Sequence, residues 1–184
     1  MLPLFVVNNY GQFNHLIHRM LRDLDIPVMM IPNTTIPSEI EGRCRGIILG
    51  GGPSIDRIGR CAEYLDLGIP VLGICLGHQL IAHSLGGEIG SGKSGGYGGV
   101  DVTIRNHGGI LDGYPDTIHV WASHADEVKR APDGFTILAT STICEIEAMA
   151  CHEKRIFGLQ WHPEVSHSEN GSLIYQNFNE ICKE

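Results

Sequence analysis

The sequence predicts an α/β fold in three layers: a mostly parallel central sheet with helices on both faces, plus a smaller antiparallel strand region. Three observations carry this. Short apolar runs recur through the first half of the chain, separated by single segments of helical periodicity. Those runs are apolar at every position, as strands covered on both faces must be. In the second half the pattern changes to alternation of apolar and polar residues, which marks strands with one wet face and makes antiparallel pairing the expectation.

Leu4 to Val7 is the first strand, ended by the polar turn Asn8-Asn9-Tyr10-Gly11. Phe13, Leu16, Ile17, Met20, Leu21 and Leu24 then recur at helical spacing and form one apolar stripe, with Arg19, Arg22 and Asp23 off it. Pro27 stops that helix, and Val28 to Ile31 is the second strand. Gly46-Ile47-Ile48-Leu49 is the third, closing on Gly50-Gly51-Gly52-Pro53. Ile58, Cys61, Ala62 and Leu65 mark another helix, ended by Gly68. Val71-Leu72-Gly73-Ile74 is the fourth strand and runs directly into a helix through Leu80, Ile81 and Leu85. Gly86 to Gly99 is glycine-rich and reads as a loop or loose ribbon. Val100, Val102 and Ile104 alternate, as do residues around Ile118 and Val120 and around Ile137. Ile156 to Trp161 is the last strand, and Ile174, Phe178 and Ile181 mark a closing helix. No repeat or linker divides the chain, so one domain over 1–184 is expected.

Composition removes several function classes. With 42% hydrophobic and 18% charged residues, the chain belongs with folded globular proteins and not with disordered ones. Its 13 Lys+Arg against 21 Asp+Glu leave a formal charge of −8, whereas a duplex binder needs a basic face to neutralise phosphates. Nucleic acid is therefore not an expected partner. No apolar run is long enough to span a bilayer, and the opening Met1 to Val7 lacks the basic start of an export signal. A cytoplasmic location away from membranes is expected, with the six scattered cysteines as free thiols.

Right-handed crossovers bring the strand carboxyl ends to one edge, where open α/β sheets bind ligands. Gly50–Pro53 and Cys75 both lie at such ends. Gly73-Ile74-Cys75-Leu76-Gly77 is a cysteine form of the G-x-S-x-G elbow, in which a strand turns sharply into a helix and leaves the nucleophile exposed. A helix N-terminus favours the thiolate. For a lone cysteine, space-filling would be the default role; the strand–elbow–helix setting favours the nucleophile. His162-Pro163-Glu164 supplies a base with its orienter attached, because residues i and i+2 of an extended segment face the same side. The N–H of Leu76 is one expected oxyanion donor, and Gly51 or Gly52 the other.

Gly50-Gly51-Gly52-Pro53, then Gly73 to Gln79, then His162-Pro163-Glu164, in this order, resemble the triad (class I) glutamine amidotransferases, and the similarity covers almost the whole chain. The resemblance implies their flavodoxin-like fold and their chemistry, release of ammonia from glutamine through a γ-glutamyl thioester. By position it implies Cys75, His162 and Glu164 as the triad, and Gly52 and Leu76 as oxyanion donors. It likewise implies that Gly51, Gln79, Ser123, His124 and Ala125 hold glutamine. Within the family, Val120 to Val128, Cys144 to Met149 and Gln160 to His167 are similar to the GMP synthetase branch, as is Asn8 to Arg19 near the start. Asn8 stands where that branch usually has aspartate, and Trp161 where phenylalanine is commoner. The chain ends at Glu184, just after the closing helix, and so resembles the separate glutaminase subunit of two-subunit, archaeal-type enzymes. The implied partner is an ATP pyrophosphatase subunit that converts xanthosine monophosphate. ATP and Mg then belong to the partner, and no cofactor is expected in this chain. Asp126, Glu127, Lys129 and Arg130 are candidate docking residues, with a merely solvated charged face as the equal alternative. Two other readings stay open: the same chemistry serving another synthetase, such as that for anthranilate or aminodeoxychorismate, and a non-catalytic regulatory subunit.

Two further patterns carry less. Gly87 to Ser94 matches the P-loop string G-x-x-x-x-G-K-[ST], but the glycines after it cannot open a helix to cradle phosphate. His15 and His18 lie on neighbouring helical turns off the apolar stripe, which reads as a solvated face, so no metal site is expected.

Overall fold

The structure, a computed structural model, describes residues 1–183, and for 93–95 the backbone alone. In chain order the elements are β1 (Leu4–Asn8), α1 (Asn14–Asp23), β2 (Val28–Pro32), β3 (Gly46–Leu49), β4 (Val71–Ile74), α2 (Leu76–Ser84), β5 (Glu88–Ile104), β6 (Thr117–Arg130), β7 (Thr136–Ser141), β8 (Ala148–Cys151), β9 (Ile156–Leu159) and α3 (Gly171–Ile181). The strands form one sheet in the order β2-β1-β3-β4-β9-β8-β7-β5-β6. Pairing is parallel from β2 through β9 and antiparallel from there on.

The continuous apolar runs of β1, β3 and β4 bury both faces, whereas β2, at the sheet edge, leaves Met29 exposed. Leu4, Val6, Ile48, Leu72, Ile74, Phe157 and Leu159 face one side and pack on Ile17 and Leu21 of α1 and Ile174 and Phe178 of α3. Phe5, Val7, Ile47, Leu49, Val71 and Ile156 face the other and pack on Leu80 and Ile81 of α2 and on Tyr64. A one-residue slip would exchange the two sets, so burial fixes the register Val6↔Ile48 and Ile48↔Leu72. Each such side chain contributes about 1.5–3 kcal/mol on leaving water.

The structure corrects the predicted architecture at four places. The antiparallel region has fewer strands, four of the nine, but is not small: its β5 and β6, at 17 and 14 residues, are the longest strands. The glycine-rich stretch from Gly86 largely belongs to β5, paired with β6 across a register shift between Ser91 and Gly96. Glycine carries no hydropathy signal, and the pairing comes from backbone hydrogen bonds that sequence patterning does not display. The helix expected around Ile58 to Leu65 is a 3₁₀ turn over Cys61–Asp66, with bonds such as Glu63 N to Arg60 O; confined between Gly59 and Gly68, it is too short for a stable α-helical nucleus. The last parallel strand stops at Leu159, two residues before the expected end, and β8, buried throughout, has no counterpart in the sequence reading. The P-loop-like string from Gly87 to Ser94 continues in strand and opens no helix.

Candidate active site

Cys75 occupies the junction of β4 and α2 with φ +53° and ψ −103°, a conformation that costs a non-glycine residue about 1–3 kcal/mol. Two bonds hold it there: its N–H donates to Leu159 O at 2.8 Å, and its carbonyl accepts from Gln79 N at 3.1 Å. The flanking glycines are steric necessities. A Cβ on Gly73 would lie 2.5 Å from the Gly77 backbone, and one on Gly77 would strike the Leu49 carbonyl.

His162 follows β9 across a bend, its N–H donating to Trp121 O at 3.0 Å. It opens a turn in which Val165 N–H donates to the His162 carbonyl at 3.3 Å. This corrects the expected extended geometry of His162-Pro163-Glu164: the turn, not an extended backbone, brings Glu164 back to the imidazole. Ser168 Oγ donates to the His162 carbonyl at 2.6 Å. Glu164 Oε1 lies 2.7 Å from His162 Nδ1, and both side chains are almost wholly enclosed. A carboxylate oxygen accepts, so Nδ1 carries its proton and Nε2 is left to act toward Cys75, with which His162 lines one cavity. Tyr175 Oη donates to the second Glu164 oxygen at 3.4 Å, and Phe13 packs edge-on against the imidazole with ring centroids 4.9 Å apart. Burial opposes charge on His162, but its interactions with Cys75 and Glu164 and the Glu164 charge outweigh burial and raise its pKa to about 10. The ring therefore favours the protonated state beside the sulfur.

The Gly50–Gly52 turn is held from outside by asparagines. Asn9 Nδ2 donates to Gly50 O and Asn14 Nδ2 to Gly51 O, each at 3.1 Å. In planar trans peptides the following N–H points the opposite way, so those of Gly51 and Gly52 face away from the asparagines. Gly52 admits no side chain, since a Cβ would meet Asn9 O and, at 2.6 Å, the side chain of Leu76. Leu76 opens α2, where the first N–H groups have no partner within the helix. Gly52, Leu76 and Cys75 line one cavity of about 400 Å³, together with Gln79, Ser123, His124, Ala125 and Asp126. A second, of about 290 Å³, reaches Cys75 from the other side, lined by Tyr10, Phe13, Gly51 and His162.

The structure thus gathers Cys75, His162, Glu164, Gly51, Gly52, Leu76, Gln79, Ser123, His124, Ala125 and Asp126 at one edge. The remaining docking candidates stand differently. Glu127 is buried at 3% exposure and paired with Lys129 at 2.6 Å, so it presents no charge to a partner; Arg130 pairs with Glu88 at 3.0 Å. The alternation of β6 breaks where Ala125 and Asp126 are both exposed, and Glu127 and Val128 after it are both buried, which a bare charge count does not reveal. Sequence reasoning assigned no role to Asn9, Asn14 or Gln160. Gln160 had a usable signal, since it directly follows the last parallel strand, at the carboxyl edge where Cys75 also lies. Among the described residues, no group of three or more His, Cys, Asp or Glu could hold a metal ion, and no helix is long and apolar enough to cross a membrane.

Comparison with known proteins agrees with this geometry. Residues 5–181 match the family described as glutamine amidotransferase class-I. A glutamine-hydrolyzing GMP synthase subunit of Methanoregula boonei is 69% identical over 184 residues, all of both chains. Its counterpart in Archaeoglobus fulgidus, of the same description, is 52% identical over 183 residues, 99% of this chain and 100% of the relative. A solved Thermoplasma acidophilum protein, proposed to be a GMP synthase subunit, is 35% identical and superposes with a TM-score of 0.95 over 100% of this chain and 94% of its own. With a strand–elbow–helix cysteine, a carboxylate-paired histidine and a family match across nearly its full length, this chain belongs to the class-I glutamine amidotransferases.

Proposed function

We propose that this chain hydrolyses glutamine with Cys75 as nucleophile, His162 as proton carrier and Glu164 as its orienter, and supplies the ammonia to a separate subunit of a GMP synthase. The observation that carries the reading is the buried imidazole held at 2.7 Å by Glu164 on one nitrogen and lining, with Cys75, the same cavity.

His162, which favours the protonated state, keeps the proton that the thiol gives up, and the sulfur attacks the side-chain amide carbon of glutamine in the larger cavity. Negative charge gathers on the amide oxygen, where the N–H groups of Gly52 and Leu76 receive it. His162 returns its proton to the departing nitrogen, which leaves as ammonia while the γ-glutamyl thioester forms. A water then gives its proton to the same imidazole and attacks the thioester, and glutamate is released as the thiol re-forms. Gln79, Ser123, His124 and Ala125 hold the substrate. No cofactor acts in this chain. ATP and Mg are used by the partner, an ATP pyrophosphatase subunit that activates xanthosine monophosphate. The full-length match to relatives named as one lettered subunit of a GMP synthase supports a partner on another chain. Ammonia protonates in water and loses its nucleophilic lone pair, so docking that shields its path serves the coupled reaction.

Glutamate release by the wild type and Cys75→Ala, with and without the pyrophosphatase partner, ATP, Mg and xanthosine monophosphate, tests this reading. Wild-type turnover should rise with the loaded partner, and the Cys75→Ala variant should show none. Undiminished turnover in Cys75→Ala would remove the nucleophile, and no stimulation by that partner would reassign the acceptor.

A further inference from the structure

One buried amide touches the nucleophile and has no part in the steps above. Gln160 follows β9 directly and is fully enclosed. Its backbone N–H donates to Glu147 O at 2.8 Å, which keeps the residue in line with the strand. Its side-chain Nε2 lies 3.8 Å from Cys75 Sγ, and its Oε1 accepts from Gln79 Nε2 at 3.3 Å.

Chemistry outside the amide fixes which end of it meets the sulfur. Gln79 Nε2 lies 2.7 Å from the backbone carbonyl of Asp126, an atom that can only accept. Gln79 must therefore turn its NH₂ that way, and the same NH₂ faces Gln160. Gln160 can answer only with Oε1, which leaves its own NH₂ for Cys75. A flipped Gln160 would set two donors against each other and face the sulfur with an oxygen.

We propose that Gln160 is a hydrogen-bond donor to the Cys75 sulfur, and that Gln79 orients it from the wall of the larger cavity. An N–H donor is worth most when its acceptor is ionised. The bond therefore stabilises the thiolate twice in the cycle, before it attacks and again as the leaving group when water opens the thioester. The sulfur of the neutral thioester is the poorer acceptor, so the gain is selective for the charged form. The inference rests on the glutaminase reading for its catalytic meaning, while the bond itself belongs to the free chain.

Alkylation of Cys75 by iodoacetamide, followed at that peptide by mass spectrometry over roughly pH 5–10, reads the thiolate without glutamine or a partner. Gln160→Met keeps the length of the side chain and removes the donor. Its alkylation half-point should move up by about one pH unit, about a tenfold loss of thiolate below the half-point. Glutamate release should fall about tenfold in kcat with KM within about twofold of wild type. Gln79→Met, which leaves Gln160 present but unoriented, should shift the half-point in the same direction by less. An unchanged half-point in folded Gln160→Met overturns the proposal, and Gln160→Leu takes its place if the methionine variant does not fold. A wild type that releases no glutamate while Gln160→Met shifts the half-point would sink the glutaminase reading and leave this bond standing.

Discussion

Glu164 does its work through charge as much as through position. It holds His162 Nδ1 at 2.7 Å inside a site that burial would otherwise keep neutral. Glu164→Gln keeps the shape and removes the charge, and should lower kcat by about 10²–10⁴. It should also change how stability depends on pH. The folded pKa of His162 is raised above its unfolded value, so its contribution is fully present below the ordinary imidazole range and lost as pH rises through about 10. Urea denaturation at roughly pH 6 and pH 9 should show wild type losing more stability over that interval than Glu164→Gln. Glu147 offers a second test of the same kind. Burial raises its carboxyl to about 7, with Ser141 Oγ as a donor at 2.7 Å to one oxygen. Its stabilising contribution is present below the ordinary carboxylate range and lost as pH rises through about 7. Glu147→Gln should flatten that decline, leaving the variant about 1–3 kcal/mol better placed at pH 8 than at pH 5 relative to wild type.

At the scale of the element, the elbow is a packing solution before it is a catalytic one. β4 and α2 can meet at so sharp an angle because Gly77 lies against the carbonyl of Leu49 in the neighbouring strand. Gly77→Ala would push backbone against backbone, with no flexible side chain to yield, and should cost about 2–4 kcal/mol in urea unfolding. This is also where the sequence was most readable. Gly73, Cys75 and Gly77 have spacing that means little in any other geometry, whereas His162 and Glu164 meet across a turn and not along the extended backbone the sequence suggests. The asparagines that orient Gly50 and Gly51 were hidden for the opposite reason: Asn9 and Asn14 act on carbonyls some 40 residues away, and nothing local marks them.

Over the whole molecule, the site sits at the seam where the parallel and antiparallel halves of one sheet join. Cys75 follows β4 and Ser123 belongs to β6 at the far edge, and His162 follows β9 between them. The parallel half was legible because each of its strands is apolar along its length and each face needs a covering element. The antiparallel half was legible only where apolar and polar residues alternate, as at Val100 to Ile104. Where glycines replace that alternation, pairing is a property of the backbone, and β5 could not be read through Gly90 to Gly99.

The left-handed backbone at position 75 has a consequence for how this protein could change. Cys75→Ala and Cys75→Gly both lack the sulfur, yet only glycine adopts φ +53° without strain. In chemical unfolding the glycine variant should be the more stable of the two by about 1 kcal/mol, once its looser unfolded chain is allowed for. The side chain at this bend is therefore carried at a cost in stability that a glycine there would relieve.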